Sequence, residues 1–278
     1  MTGILYLVAT PIGNLEDISL RALRVLREAE LIAAEDTRFS RRLLSHFLIS
    51  KPLVSYYEHN KRLREGYLLQ QLLQGKNVAL ISDAGTPALS DPGADLARAA
   101  VEAGAEVIAI PGASALLTAL TVSGLDTGSF VFCGFAPRQK CSRRQYLQAL
   151  AGEERTMVFY EAPHRLLALL QDMEQIFGPE RPAAACRELT KLHEEKRRAS
   201  LSQLCAHFSQ TEPRGEFVLV LAGAQPAPAQ EIAEADLASE LGELLKQGLS
   251  RRQAAKQLAL KYDKKAGDIY SLGLDVDF

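Results

Sequence analysis

The feature that most constrains this chain is an alternation: short apolar runs and helix-period segments trade places from residue 4 almost to residue 222. The runs "ILYLVA" (4–9), "LIAAE" (31–35), "PLVSYY" (52–57), "NVALIS" (77–82) and "EVIAI" (106–110) have the length of buried strands. Between the first two, Leu20, Leu23 and Leu26 repeat at helical spacing, with Arg21, Arg24 and Glu28 on the outer side. Strands separated by helices must be joined by crossovers, and repeated crossovers build a largely parallel sheet. The pattern restarts after "SGLDTG", entered through a helix over roughly 113–123. "FVFCGF" (130–135), "TMVFYE" (156–161), "PAAACREL" (182–189) and "GEFVLVLAG" (215–223) are expected as strands of a second α/β unit.

The alternation then stops. "AGAQPAPAQ" (222–230) reads as an Ala/Pro linker. Beyond it, Leu237, Leu241, Leu244 and Leu245 form a helical stripe closed by Gly248. Ser250 suits the N-cap of a second helix, "RRQAAKQLALKY", and a third short helix fits near "KKAGDIYSLGL". The expected organisation is an α/β domain over 1–124, a second over 125–223, and a small all-α, helix-turn-helix-like module over 231–278.

Composition narrows the function classes. The chain is 47% hydrophobic and 24% charged, an ordinary globular balance. No run of about 18 apolar residues could span a membrane, and no basic stretch precedes "ILYLVA" as in a secretory leader. Cys133, Cys141, Cys186 and Cys205 form no CxxC and are expected as free thiols of a reducing compartment. The five histidines show no metal-ligand spacing, so no metal is expected. A net charge of −2 argues against a general nucleic-acid coat. The cations are nevertheless bunched: Arg38, Arg41 and Arg42; Lys61, Arg62 and Arg64; Arg138, Lys140, Arg143 and Arg144; Lys196, Arg197 and Arg198; Arg251, Arg252 and Lys256. One such group is often only a solvated face. Together they make a basic surface that could meet phosphates.

Neither GxGxxG after a strand nor a P-loop occurs, and there is no GxSxG elbow. What stands out are small-residue loops at the predicted strand ends: "ATPIGN" (9–14), "AEDTR" (34–38), "SDAGTP" (82–87), "IPGASA" (110–115), "YEAPHR" (160–165) and "RELTK" (187–191). Any one could be a tight turn. Six converging on the carboxyl edge of a sheet make a ligand cleft.

Taken in order, "VATPIGNLEDISLRAL", "IAAEDTR", "LISDAGTPALSDPG", "PGASALLTAL", "FYEAPHR" and "RELTK" resemble the ribosomal RNA small subunit methyltransferase I family, a tetrapyrrole-methylase-like group of S-adenosylmethionine enzymes. The likeness runs from about residue 3 to 223, and the last helices resemble the family's C-terminal module. It implies two α/β lobes with a cofactor cleft between them. It also implies 2′-O-methylation of a cytidine in the decoding centre of 16S rRNA, free or in the 30S subunit, by a cytoplasmic homodimer. Carried onto this chain, the cofactor positions are Pro11, Ala84, Gly85, Thr86, Leu89, Ser114, Ala115, Glu161, Leu189 and Phe217. A Cβ at Gly85 would push the ligand away. A ribose hydroxyl is a poor nucleophile, so a group should hold its proton: Asp36 and Glu161 are the candidates, with Glu188 third. Lys191 could instead lower the hydroxyl's pKa or hold a phosphate. Asp36 could equally be a helix cap, and Glu161 an ion-pair partner of Arg165. Arg38, Arg41, Arg42, His164, Arg165, Arg187, Arg251, Arg252 and Lys256 are the candidate RNA contacts. Where the family often carries a glycine this chain has Arg198-Ala199, so a loop of different shape is expected there. A tetrapyrrole methyltransferase and a non-enzymatic RNA-binding factor are the competing readings; the arginine groups and the helical module count against the first, and the glycines at 13, 85 and 112 against the second.

Overall fold

The computed structural model describes residues 2–225, 234–262 and 264–272. Its first sheet holds β1 (Ile4–Val8), β2 (Leu31–Ala34), β3 (Leu53–Ser55), β4 (Val78–Ile81) and β5 (Glu106–Ile110), in the order β3-β2-β4-β1-β5. Every pairing is parallel, as the alternation requires. Helices α1 (Leu20–Glu28), α2 (Thr37–His46), α3 (Lys61–Leu73) and α4 (Ala94–Glu102) make the crossovers. Alternate strand residues face opposite sides. Ile32, Ala34, Ala79 and Ile81 therefore pack with Val25 and Leu26 of α1. Leu31, Ala33, Val78 and Leu80 pack with Leu68 and Leu72 of α3 and Leu96 of α4. A sheet covered on both faces puts its ligand surface at a strand edge.

Helix α5 (Ala115–Val122) leads to the second sheet: β6 (Phe130–Phe135), β7 (Thr156–Glu161), β8 (Pro182–Arg187), β9 (Glu195–Ser200) and β10 (Phe217–Leu221). Helices α6 (Lys140–Ala149), α7 (Pro163–Phe177) and α8 (Leu201–Gln210) connect them. The order is β6-β7-β10-β8-β9, and only β6–β7 is parallel. Two expectations need correcting. The parallel rule fails here because β8 and β9 are joined by a short loop, which forces an antiparallel pair. Strand β9, "EKRRAS", lies outside the expected strand set because it is a charged edge strand with no apolar alternation. Arg198 and Ala199 consequently lie in a strand, paired to Ala184 and Ala183, and not in a loop.

The charges of β9 are spent locally. Lys196 pairs with Glu194 and Arg197 with Glu195, while Arg198 Nε donates to Val122 O at the end of α5, 2.9 Å away. Two arginines of α6 are similarly committed. Arg143, 6% exposed, meets Asp172 of α7 at 2.6 Å, and Arg144 meets the same carboxylate at 3.0 Å.

Both sheets belong to one compact unit, residues 1–223; residues 224–278 form a second. The second unit contains α9 (Glu234–Lys246), α10 (Arg251–Tyr262) and α11 (Ala266–Leu272) around Leu237, Leu241, Leu258, Tyr262 and Ile269. Gly248, at φ +89°, ends α9 in a conformation that costs a side-chain-bearing residue strain. Ser250 donates its N–H to the Gln253 side chain as α10 begins. Linker residues 226–230 lie outside the described residues, as do 231–233, 263 and 273–278 of the expected module.

Candidate active site

The carboxyl edge of the first sheet is tied into one frame. Thr10, just past β1, exchanges backbone hydrogen bonds with Gly85, just past β4: Thr10 N–H to Gly85 O at 2.9 Å, and Gly85 N–H to Thr10 O at 3.0 Å. The Thr10 hydroxyl donates to Ser82 O at 3.1 Å, and the Thr86 hydroxyl to Ala113 O at 3.3 Å. Loops from three strands thus hold one another. Gly85 sits at φ +86°, and a Cβ there would lie 3.3 Å from Ile12 Cγ2. The chain's own backbone conformation therefore favours a glycine here, beside any demand a ligand makes. Gly13 is likewise enforced by protein, since a Cβ would meet Lys191 Cγ at 2.4 Å.

Ala88 and Ser90 also adopt positive φ in the loop after β4, and Glu188 and Thr190 do so after β8. Side-chain-bearing residues in this region store strain, and Ser90 together with Leu89 and Leu189, the neighbours of the others, faces one place. That place is a cavity of about 360 Å³. The first sheet supplies Ile12, the 84–91 loop, and Ser114 and Ala115 at the start of α5; the second supplies Phe135, Tyr160, Glu161, Leu189, Glu216 and Phe217. Strand register explains the second set. Phe217 pairs with both Glu161 and Arg187, so the ends of β7 and β8 and the start of β10 form one row. The Tyr160 hydroxyl accepts from Leu116 N–H at 3.2 Å, joining this row to α5.

Glu161 is 2% exposed. Its Oε1 accepts from Ala162 N–H at 2.8 Å, and its Oε2 lies 3.2 Å from an Arg165 nitrogen without a well-directed hydrogen bond. Burial outweighs the Ala162 bond and the Arg165 charge and raises its pKa. Asp91, also on the cavity wall, is pushed up to about 6 by burial, and Glu35 behind it to about 7 by burial and by Asp91 and Asp83.

Residues 4–205 match the family model of tetrapyrrole (corrin/porphyrin) methylases. Over 275 residues the chain is 50% identical to "Ribosomal RNA small subunit methyltransferase I" of Synechocystis, covering 99% of both chains. It is 45% identical to the protein of that name from Halalkalibacterium halodurans, covering 97% of this chain and 94% of that one. The chain belongs to the ribosomal RNA small subunit methyltransferase I family. A relative from Thermotoga maritima, 48% identical, is covered over 99% of its length but matches 80% of this chain. Among solved structures, a uroporphyrin-III C-methyltransferase of Thermus thermophilus aligns with a TM-score of 0.58 at 24% identity, covering 79% of this chain and 94% of that one. A second Thermus structure, described as complexed with S-adenyl homocysteine, aligns at 0.58 and 21%, covering 79% and 97%. Both confirm the fold.

For this member of the ribosomal RNA small subunit methyltransferase I family, the positions expected to hold the cofactor all line the cavity except Pro11, which lines a neighbouring one with Lys191. Asp36 lines neither. Its carboxylate caps α2 by accepting from Arg38 N–H at 2.8 Å and pairs with the Arg38 guanidinium, which hold its pKa down at about 2. Lys191 Nζ is held between Glu188 at 3.0 Å and Glu216 at 2.9 Å. Of the candidate RNA contacts, Arg41 and Arg42 are exposed on α2 and His164 on α7. Arg165 donates to Ala136 O at 2.6 Å and Arg187 to Arg214 O at 2.6 Å. Arg251, Arg252 and Lys256 belong to the second unit. Sequence reasoning missed Asp91, Phe135 and Glu216. Asp91 lay inside the glycine- and proline-rich turn, and Glu216 directly before Phe217, so both were within reach of the motif. Phe135 becomes visible only through the β6–β7 pairing.

Proposed function

We propose that this chain transfers a methyl group from S-adenosylmethionine to the ribose 2′-hydroxyl of a cytidine in small-subunit rRNA, in the cytoplasm. The observation that carries the reading is near-full-length identity to proteins named for that rRNA, joined to a walled cavity at the expected cofactor positions. The residues fit the cofactor. A volume of about 360 Å³ lies within the usual small-molecule range, and the buried Oε2 of Glu161, 3.2 Å from an Arg165 nitrogen, makes no hydrogen bond and so can still accept one. The 84–86 backbone, Leu89, Ser114, Ala115, Leu189 and Phe217 would hold it. When bound, S-adenosylmethionine supplies a methyl group on a positively charged sulfur.

The chain's own contribution is alignment, exclusion of water and management of one proton. Thr10, Gly85 and Ala113 fix the floor, so alignment costs little reorganisation during the reaction. Phe135, Leu189 and Phe217 make the walls apolar. Glu161, with its raised pKa, takes the hydroxyl proton. Asp36 and Lys191 are committed elsewhere and act structurally.

The domains 1–124 and 125–223 form the two walls in this reading, and a C2 homodimer completes it. Phe130, exposed on the edge strand β6, suits such an interface. Light scattering is expected to give twice the 30.4 kDa chain mass at micromolar concentration; a monomer refutes this part.

The decisive experiment offers labelled S-adenosylmethionine with 30S subunits, naked 16S rRNA or uroporphyrinogen III. Label should enter the RNA, at a cytidine ribose. Transfer to the tetrapyrrole alone, or binding of the cofactor with no transfer, would refute the reading.

A further inference from the structure

A second cavity, about 470 Å³, adjoins the first and shares Ile12, Ala84 and Glu216 with it. One side is a single face of α2: Phe39, Arg42, Leu43 and His46, at the spacing that stacks residues along a helix. We propose that this cavity seats the nucleotide being methylated, with its base on Phe39 and a flanking phosphate on Arg42. The inference rests on the rRNA-methyltransferase reading above and extends it to the acceptor.

Four observations carry it. The shared wall puts the occupants of the two cavities side by side, which group transfer between them requires. Phe39 is 50% exposed yet lines a concavity, where an unstacked base would find an aromatic face. Among the described residues Arg42 makes no ion pair and no side-chain hydrogen bond, whereas Lys191, the cavity's other long cation, is locked to two carboxylates. Arg42 is therefore free for a phosphate, and His46 lies one turn further along. Finally, Asp83 on the cavity wall, whose Oδ1 accepts from Asp36 N–H at 3.0 Å, keeps its second carboxylate oxygen for a base edge carrying an exocyclic amine, as cytosine does, while Glu216 is engaged by Lys191.

Phe39→Ala, Phe39→Tyr, Arg42→Ala and, as a control on another face of α2, Ser45→Ala would be compared in the full-length chain. Calorimetry reads affinity for S-adenosylhomocysteine, and labelled-methyl transfer reads kcat and KM on 30S subunits. Phe39→Ala and Arg42→Ala should each lower kcat/KM at least tenfold, with S-adenosylhomocysteine affinity within twofold of the parent. Phe39→Tyr should restore most of the rate, because a stacking face remains. Arg42→Ala should also reduce the salt dependence of KM by about 0.7 to 0.9 in log–log slope, the share of one phosphate. Phe39 is half-exposed, so its truncation leaves the core intact. Unchanged kinetics in both alanine variants, or loss of S-adenosylhomocysteine affinity alongside transfer, would overturn the assignment. A parent chain that methylates no rRNA would instead overturn the functional reading, and the assignment with it.

Discussion

Glu161 and Asp36 are both acids at strand ends, and sequence could not rank them. Their surroundings differ. Asp36 spends its oxygens on Arg38 and titrates at about 2, too weak a base to hold a hydroxyl proton. Glu161 is buried on the cavity wall, its Oε2 beside the Arg165 charge but without a hydrogen bond. Glu161→Gln keeps the shape and removes the charge. Transfer should fall by roughly 10²-fold or more with cofactor affinity little changed, read by single-turnover methylation beside calorimetry. A near-normal rate would show that positioning alone suffices. Glu35 carries a different consequence. Its pKa rises from 4.5 to about 7 in the folded chain, where burial and the nearby Asp91, Asp83 and Asp36 disfavour its charge. Between those values the native state holds a proton the unfolded state has lost, so stability falls as pH rises. Glu35→Gln should therefore melt higher than the parent at pH 8, with the difference shrinking as pH falls through about 7 and closing below pH 4.5. A pH-independent difference in melting temperature would contradict this. Neither effect was legible beforehand, because a pKa depends on neighbours brought from other loops.

At the scale of elements, the first sheet was legible because its inner strands β2 and β4 are buried on both faces and its crossovers leave a periodic trace. β2 and β4 are apolar throughout for that reason. The second sheet was only partly so. Strand β9 has one partner and a charged outer face, so its residues read as a basic patch. Arg143 likewise read as a surface cation, yet it is buried against Asp172 and helps join α6 to α7. Spacing does not reveal that a charge has a buried partner. Asp172→Asn leaves Arg143 buried without its counter-ion, and such losses cost about 3–5 kcal/mol. Urea unfolding should show a loss in that range; a change under about 1 kcal/mol would mean that water or Arg138 O compensates.

On the whole-molecule scale, among the described residues those that line the two cavities all belong to the compact unit 1–223. The Thermotoga relative leaves about a fifth of this chain unmatched, the share that the second unit represents. Cutting within residues 224–230 should leave the first unit folded and cofactor binding intact. If Arg252 and Lys256, exposed four apart on α10, hold phosphates, affinity for 30S subunits should weaken. Its salt slope should then flatten by about 0.7 to 0.9 per lost contact. An unchanged slope would assign the RNA grip to the first unit alone. The cofactor loops were legible because glycine, proline and small residues mark where chains cross closely. The second cavity was only partly so: Arg42 stood out as a cation, but its place beside Phe39 on one face of α2 shows only once α2 stands beside the 9–14 loop.

The order of the second sheet also has a temporal meaning. β10 is the last strand of the first unit to leave the ribosome, yet it lies at the sheet's centre, paired on both sides. Until Phe217–Leu221 emerge, β7 and β8 have no central partner, and the row of Glu161, Phe217 and Arg187 cannot form. The first sheet needs nothing beyond Ile110 and can close during synthesis. A nascent chain therefore carries half of its cleft early and gains the other half in a single late insertion.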